Sequence, residues 1–268
     1  MFALFDTHAH LDQTDFDEDR DAVIQRAQAA GVATMLAVGV TAESSRKCLA
    51  IARQHAGVFA TAAIHPNYLA EASEGDFAVI EELSCDPRVV AIGETGLDRH
   101  WDFTPFDVQL ESFDRHMRLA HERGLPFIVH MRDCEADIMA SLRAAHAERG
   151  PLSGVMHSFT GDAAMAADCM ALGMHISFAG MVTYKKSQAL RDCAATIPDD
   201  RLLVETDSPY LSPEPVRSIR RNEPAHVRHT TECIAGVRGV TVEEIAAITT
   251  ANARRLFRIP EPSVARSS

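Results

Sequence analysis

The chain has 268 residues and six cysteines (Cys48, Cys85, Cys134, Cys169, Cys193 and Cys233), none in C-x-x-C spacing. That absence argues against a zinc ribbon, and without a secretory leader no disulfide framework is expected. The opening segment MFALFDTHAH lacks the basic start and apolar stretch of a secretory leader, so the expectation is a cytoplasmic protein with reduced, buried thiols. No apolar run nears the roughly 18 residues of a membrane span. Lysine is almost missing: Lys47, Lys185 and Lys186 stand alone, and arginine supplies the rest of the 26 basic residues. A formal net charge of −12 excludes a protein that coats nucleic acid by bulk electrostatics. It leaves room for a polyanionic substrate in one cleft, where cations and a few arginines reverse the local field. No linker, repeat or low-complexity tract divides the chain, so one domain over 1–268 is expected.

What is present is alternation. Short apolar runs at 2–6, 33–39, 58–64, 89–93, 126–130, 154–158, 174–178 and 202–206 read as strands. Between them lie stretches with apolar residues at three- and four-residue spacing, such as 18–30, 105–122 and 135–148. Gly31, Gly124, Gly150 and Gly173 stand where a helix hands back to a strand. Two further helices are expected near 224–238 and 241–257, the second opened by a Thr241/Glu244 capping box. An open doubly wound sheet fits this pattern. Eight strands each followed by a helix fit better a single α/β domain, a (β/α)8 TIM barrel with extra C-terminal helices. In such a barrel the working residues lie at the C-terminal strand ends.

The segment FDTHAHLD, residues 5–12, places His8 and His10 at i and i+2, on one face of a strand. Alone, this pair is either a polar edge strand or two metal ligands. The other strand ends supply more donors: His65 in AIHPN, Glu94 in GETGLD, His130 in FIVHMRD, His157 in VMHSFTG and Asp207 in VETDSPYL. Five histidines and two carboxylates exceed the needs of one tetrahedral ion and suit two ions sharing a carboxylate, with Glu94 the best candidate bridge. No lysine ends an expected strand, which closes the carboxylated-lysine variant of such centres. The remaining histidines read differently: His55, His116, His121, His146, His226 and His229 as surface or helix-end residues, His100 as a loop residue and His175 as interior to its strand.

In order, HAHLD, IHPN, GETGLD, VHMRD, HSFTG, ETDSPYL and RNEPAHV resemble the TatD family of metal-dependent hydrolases, over about residues 4–257. The resemblance implies a divalent-metal deoxyribonuclease, cytoplasmic, with 3′→5′ exonuclease action on single-stranded or damaged DNA as substrate. Carried over by position, it implies His8, His10, Glu94 and Asp207 at one metal site. Glu94, His130 and His157 make the other, and His65 touches the scissile phosphate. One departure stands out: the family's basic Arg-Gly-Lys stretch is here PVRSIRRNEP, residues 215–224, with Ser218 and Ile219 at altered positions.

The expected chemistry is phosphodiester hydrolysis by a metal-activated hydroxide, with two divalent ions (Zn, Mn, Ni, Fe or Mg). Asp207 orients the water and accepts its proton. Glu94 bridges the ions. His65 with Arg217, Arg220 and Arg221 neutralises developing charge. Arg132 and Arg99 are further candidates, each also readable as a surface salt-bridge residue. Trp101, the only tryptophan, reads either as a base-stacking residue or as a hydrophobic lid. The main rival is a metallohydrolase of the same fold acting on an ester, amide or small phosphoester, aminoacyl-tRNA included. A metal-binding scaffold and a nucleic-acid module without chemistry are weaker rivals.

Overall fold

The computed structural model describes residues 3–73 and 75–260. Among the described residues eight strands occur: β1 (Leu4–Ala9), β2 (Val32–Ala37), β3 (Val58–Ala62), β4 (Val89–Asp98), β5 (Phe127–Arg132), β6 (Gly154–Met156), β7 (His175–Phe178) and β8 (Leu202–Val204). All neighbours pair in parallel, in the order β1 to β8. Helices follow each in turn: α1 (Arg20–Ala29), α2 (Ala42–Gln54), α3 (Asp76–Leu83), α4 (Phe106–Arg123), α5 (Glu135–Arg149), α6 (Ala163–Ala171), α7 (Gln188–Thr196) and α8 (Val227–Arg238). A ninth, α9 (Val242–Phe257), is extra. The fold is the (β/α)8 barrel. Phe2, placed in the first strand by its pattern, lies outside the described residues.

Local chemistry explains the boundaries. Thr41 and Asp162 cap α2 and α6 by accepting from the backbone N–H three residues on. Thr241 and Glu244 form the reciprocal capping box at α9. At the end of α4, Gly124 takes the left-handed conformation (φ 62°) that stops a helix. The barrel closes between β8 and β1 without a full ladder. His10 N donates to Ser208 O at 2.7 Å, and Asp207 N donates to His8 O at 2.9 Å. The Asp6 carboxylate adds a clamp across the seam, accepting from Thr206 N at 2.9 Å and Thr206 Oγ1 at 2.6 Å. Burial pushes the Asp6 carboxyl up to about 8, against the hydrogen bonds from Thr206.

The apolar core has two parts. A large cluster fills the space between the strands and the helices. A second fills the barrel itself, where Phe5, Leu36, Val90, Ile128, Val155 and Leu203 meet. Leu256, Phe257 and Ile259, from the end of α9 and just beyond, join this inner cluster, and the Phe257 ring lies 6.0 Å from that of Phe5. The extra helix therefore plugs the N-terminal mouth of the barrel with apolar side chains. The C-terminal mouth is left to polar ones.

Three expectations need correction. β4 continues to Asp98, so Glu94 sits inside the strand and not at its end. Its second half pairs Thr95 through Asp98 with Val129 through Arg132. This close approach requires Gly96 (φ 144°), where an added Cβ would come within 2.1 Å of His130 O. His116 is fully buried and not at the surface: on α4 it shares the apolar face with Phe113, Met117 and Ala120. The six cysteines are free, but Cys85 is exposed and Cys233 partly so. No described helix is long and apolar enough to cross a membrane.

Candidate metal centre

The parallel ladders break twice near the C-terminal mouth, between Asp6 and Ala9 on β1 and between Ile92 and Thr95 on β4. Irregularities of this kind re-aim side chains. Here they bracket His8 and Glu94, which turn toward each other. His8 Nε2 lies 3.3 Å from Glu94 Oε2 and 3.7 Å from Asp207 Oδ1. His10 Nε2 lies 3.7 Å and 3.4 Å from the same two oxygens. The two imidazole nitrogens are themselves 3.3 Å apart. A tetrahedral ion with bonds of about 2.1 Å sets its ligands about 3.4 Å apart. Five of the six edges of such a tetrahedron are thus present, each at 3.3–3.7 Å. If neutral His10 donates Nδ1–H to Val38 O, its bare Nε2 faces both carboxylates, a donor set suited to a cation.

The other oxygen of Glu94 faces a second group. Oε1 lies 2.8 Å from His130 Nδ1, 2.8 Å from His157 Nε2 and 3.4 Å from His65 Nε2. One buried carboxylate therefore stands between two donor clusters, with one oxygen on each. Burial works to raise the Glu94 carboxyl, and the imidazoles of His157, His65 and His130 overcome it, holding it well below the usual carboxylate range. At Asp207 burial is likewise overcome, chiefly by His10 and His8, and the carboxyl is lowered. Burial, reinforced by His130, takes His65 down to about 4.

Two carboxylates missed in the sequence hold the histidines in place. Asp98 Oδ2 lies 3.0 Å from His130 Nε2 and accepts from Asn67 Nδ2 at 3.0 Å. Glu205 Oε1 lies 3.3 Å from His157 Nδ1 and accepts from Ser158 N at 2.6 Å. Carboxylates behind ligating imidazoles fix ring orientation and raise basicity. Both were present in the motifs, as the last residue of GETGLD and the acid two before Asp207. His10 is oriented by the Val38 carbonyl, 3.3 Å from its Nδ1. His65 differs: its Nδ1 accepts from Asn67 N at 3.2 Å, so in the neutral ring the proton sits on Nε2, facing the cluster. That makes it a donor and not a ligand.

The centre floors a cavity of about 860 Å³. Four of the five described non-glycine residues with positive φ (Asp133, Ser158, Asp207 and Leu211) line it. Backbone strain of this kind gathers at functional sites. The expected phosphate-contact arginines do not line it. Arg221 pairs with Asp19 at 2.7 Å and donates to Asp15 O, while Arg217 lies over the Tyr184 ring and 3.9 Å from Glu214. Arg220 is exposed outside the cavity. Arg99 is bound to Asp137 and stacked on Phe106. Arg132 is the arginine that lines the cavity, beside Trp101.

Comparison with known proteins matches this frame. Residues 5–258 match the family described as TatD related DNase. An uncharacterized metal-dependent hydrolase of Bacillus subtilis, YabD, is 43% identical over 96% of this chain and 99% of its own. A protein of Erwinia amylovora named 3′-5′ ssDNA/RNA exonuclease TatD is 38% identical, over 95% of this chain and 99% of its own. The crystal structure of YJJV, a TatD homologue from Escherichia coli, superposes with a TM-score of 0.89 at 30% identity, over 96% and 98% of the two chains. By sequence, barrel and donor arrangement together, the chain belongs to the TatD family of metal-dependent hydrolases.

Proposed function

We propose that this protein is a deoxyribonuclease, cleaving single-stranded DNA from its 3′ end by phosphodiester hydrolysis. The observation that carries the reading is Glu94, one oxygen in each of two donor clusters, at the floor of an open cavity. His8, His10, Glu94 and Asp207 would hold one divalent ion, and Glu94, His130 and His157 would hold a second. Bound there, such ions would lower the pKa of a water and polarise a phosphoryl oxygen. The other parts belong to the chain. Asp207, ionised and at the cluster edge, orients the attacking water and accepts its proton at a carboxylate oxygen. His65 presents Nε2–H to the phosphoryl oxygen on which charge develops. Asp98 and Glu205 hold His130 and His157 against rotation. Arg132 replaces Arg217, Arg220 and Arg221 as the cation beside the strand. The relative named as an exonuclease supports the substrate class.

The test is incubation of metal-loaded protein with a single strand labelled at its 5′ end. The expected product is a ladder shortening from the 3′ end, absent with Asp207→Ala. Metal-dependent hydrolysis of simple esters with no cleavage of the strand would instead favour the ester-hydrolase rival.

A further inference from the structure

Four of the eight large apolar side chains that stand most exposed among the described residues line the same cavity: Tyr68, Trp101, Phe103 and Tyr210. Exposed rings gathered at one mouth are a binding surface rather than chance. Tyr68 and Tyr210 lie against His65 and His10, with ring centroids 6.0 and 5.8 Å apart. Trp101 and Phe103 stand together, stacked at 5.3 Å with an angle of 8° between planes. Trp101 is 43% and Phe103 56% exposed. The Arg132 guanidinium carbon sits 5.6 Å from the Trp101 ring centre.

The loop that carries this pair is built in. Asp98 Oδ1 accepts from His100 N at 2.8 Å and Trp101 N at 3.1 Å, while its Oδ2 faces His130. Gln109 accepts from Asp98 N at 2.8 Å and donates to Asp98 O and Thr104 O. His100 is tied to Asp133 at 3.0 Å. Both ends of the segment are thus fastened to β4 and α4, and one carboxylate links the aromatic pair to a histidine of the centre. The aromatic pair stands on an anchored segment.

We infer that Trp101 and Phe103 form a stacking platform for the bases of the single strand whose phosphate reaches Glu94, with Arg132 holding the backbone alongside. The inference rests on the proposed nuclease reading for the strand's path. Parallel flat rings beside one guanidinium suit bases joined by phosphates, and such stacking is indifferent to sequence. The chain's acidic balance makes this contact matter more, since bulk charge repels the strand.

Because Trp101 is the only tryptophan, its emission reports the platform directly. The metal-loaded full chain is titrated with a phosphorothioate-linked octathymidylate, which resists cleavage, and with an abasic strand of the same length and linkage. The base-bearing strand is expected to quench the emission, and the abasic strand to leave it nearly unchanged. Phe103→Ala, at an exposed position, is expected to weaken binding of the base-bearing strand about 5- to 150-fold and to erase its advantage over the abasic one. Unchanged emission at saturation, or equal affinity of the two strands for the unaltered protein, overturns the platform. Quenching without any strand cleavage would sustain the platform and remove the nuclease reading, whereas cleavage without quenching would do the reverse.

Discussion

The two mouths of this barrel are made by the same eight strands and could hardly differ more. At the N-terminal mouth, Phe257 and Leu256 of α9 reach into the apolar cluster around Phe5 and Leu203. At the C-terminal mouth, five histidines and two carboxylates crowd together, their ladders interrupted and their backbone strained. One end is packed for stability, the other arranged for chemistry at a cost in stability. Substitutions should separate the two ends cleanly.

The largest effect belongs to the polar mouth. Asp207→Ala is expected to lower kcat by about 10²- to 10⁴-fold, the range for losing a positioned base, with the thermal midpoint of the metal-free protein unchanged or raised. Steady-state rates and a melting curve check both halves, and a collapsed fold would break the contrast. The plug gives the mirror image. Phe257→Ala should cost about 3–5 kcal/mol of stability, measured by urea unfolding, and leave the rate per folded molecule near normal.

Histidines sharpen the same comparison. His116 lies in the wall between α4 and β3, accepting from Ile64 N at 3.1 Å while its Nδ1 donates to Ser112 O at 2.8 Å. Burial lowers it to about 4. The unfolded chain takes up that proton near pH 6.5 and the folded chain only near pH 4. The contribution of His116 to stability is therefore intact above 6.5, falls as pH drops through that window, and is lower by about 3 kcal/mol below it. The difference in denaturant midpoint between the unaltered chain and His116→Gln, followed from pH 7 to 4, is expected to report this loss. The smallest effect is at Arg221. Tied to Asp19 and away from the cavity, its change to Ala should move KM for a single strand less than about twofold, since exposed pairs contribute little. Arg132→Ala, on the cavity wall, should move it more.

What the sequence could reveal follows the same division. Strand order was legible because apolar runs and helical periodicity alternate eight times. The donor residues were legible because each closes or follows such a run. Glu94 was misplaced by a few residues because a strand's length depends on its neighbour, here β5 meeting Gly96. His116 was misread because one polar ring on an apolar helix face looks like a surface residue until its partners are known. Asp98 lies four residues beyond Glu94 on the same strand and Glu205 two before Asp207, spacings that hint at shared faces. The fate of Arg221 was hidden, since Asp19 stands 202 positions away.

In the proposed centre Glu94 joins two cation sites. Elemental analysis of protein reconstituted with zinc and then dialysed tests it directly, comparing the unaltered chain with Glu94→Gln. Two ions per unaltered chain are expected and a loss from both sites in the variant, with folding preserved by circular dichroism. Two ions retained in Glu94→Gln would contradict it.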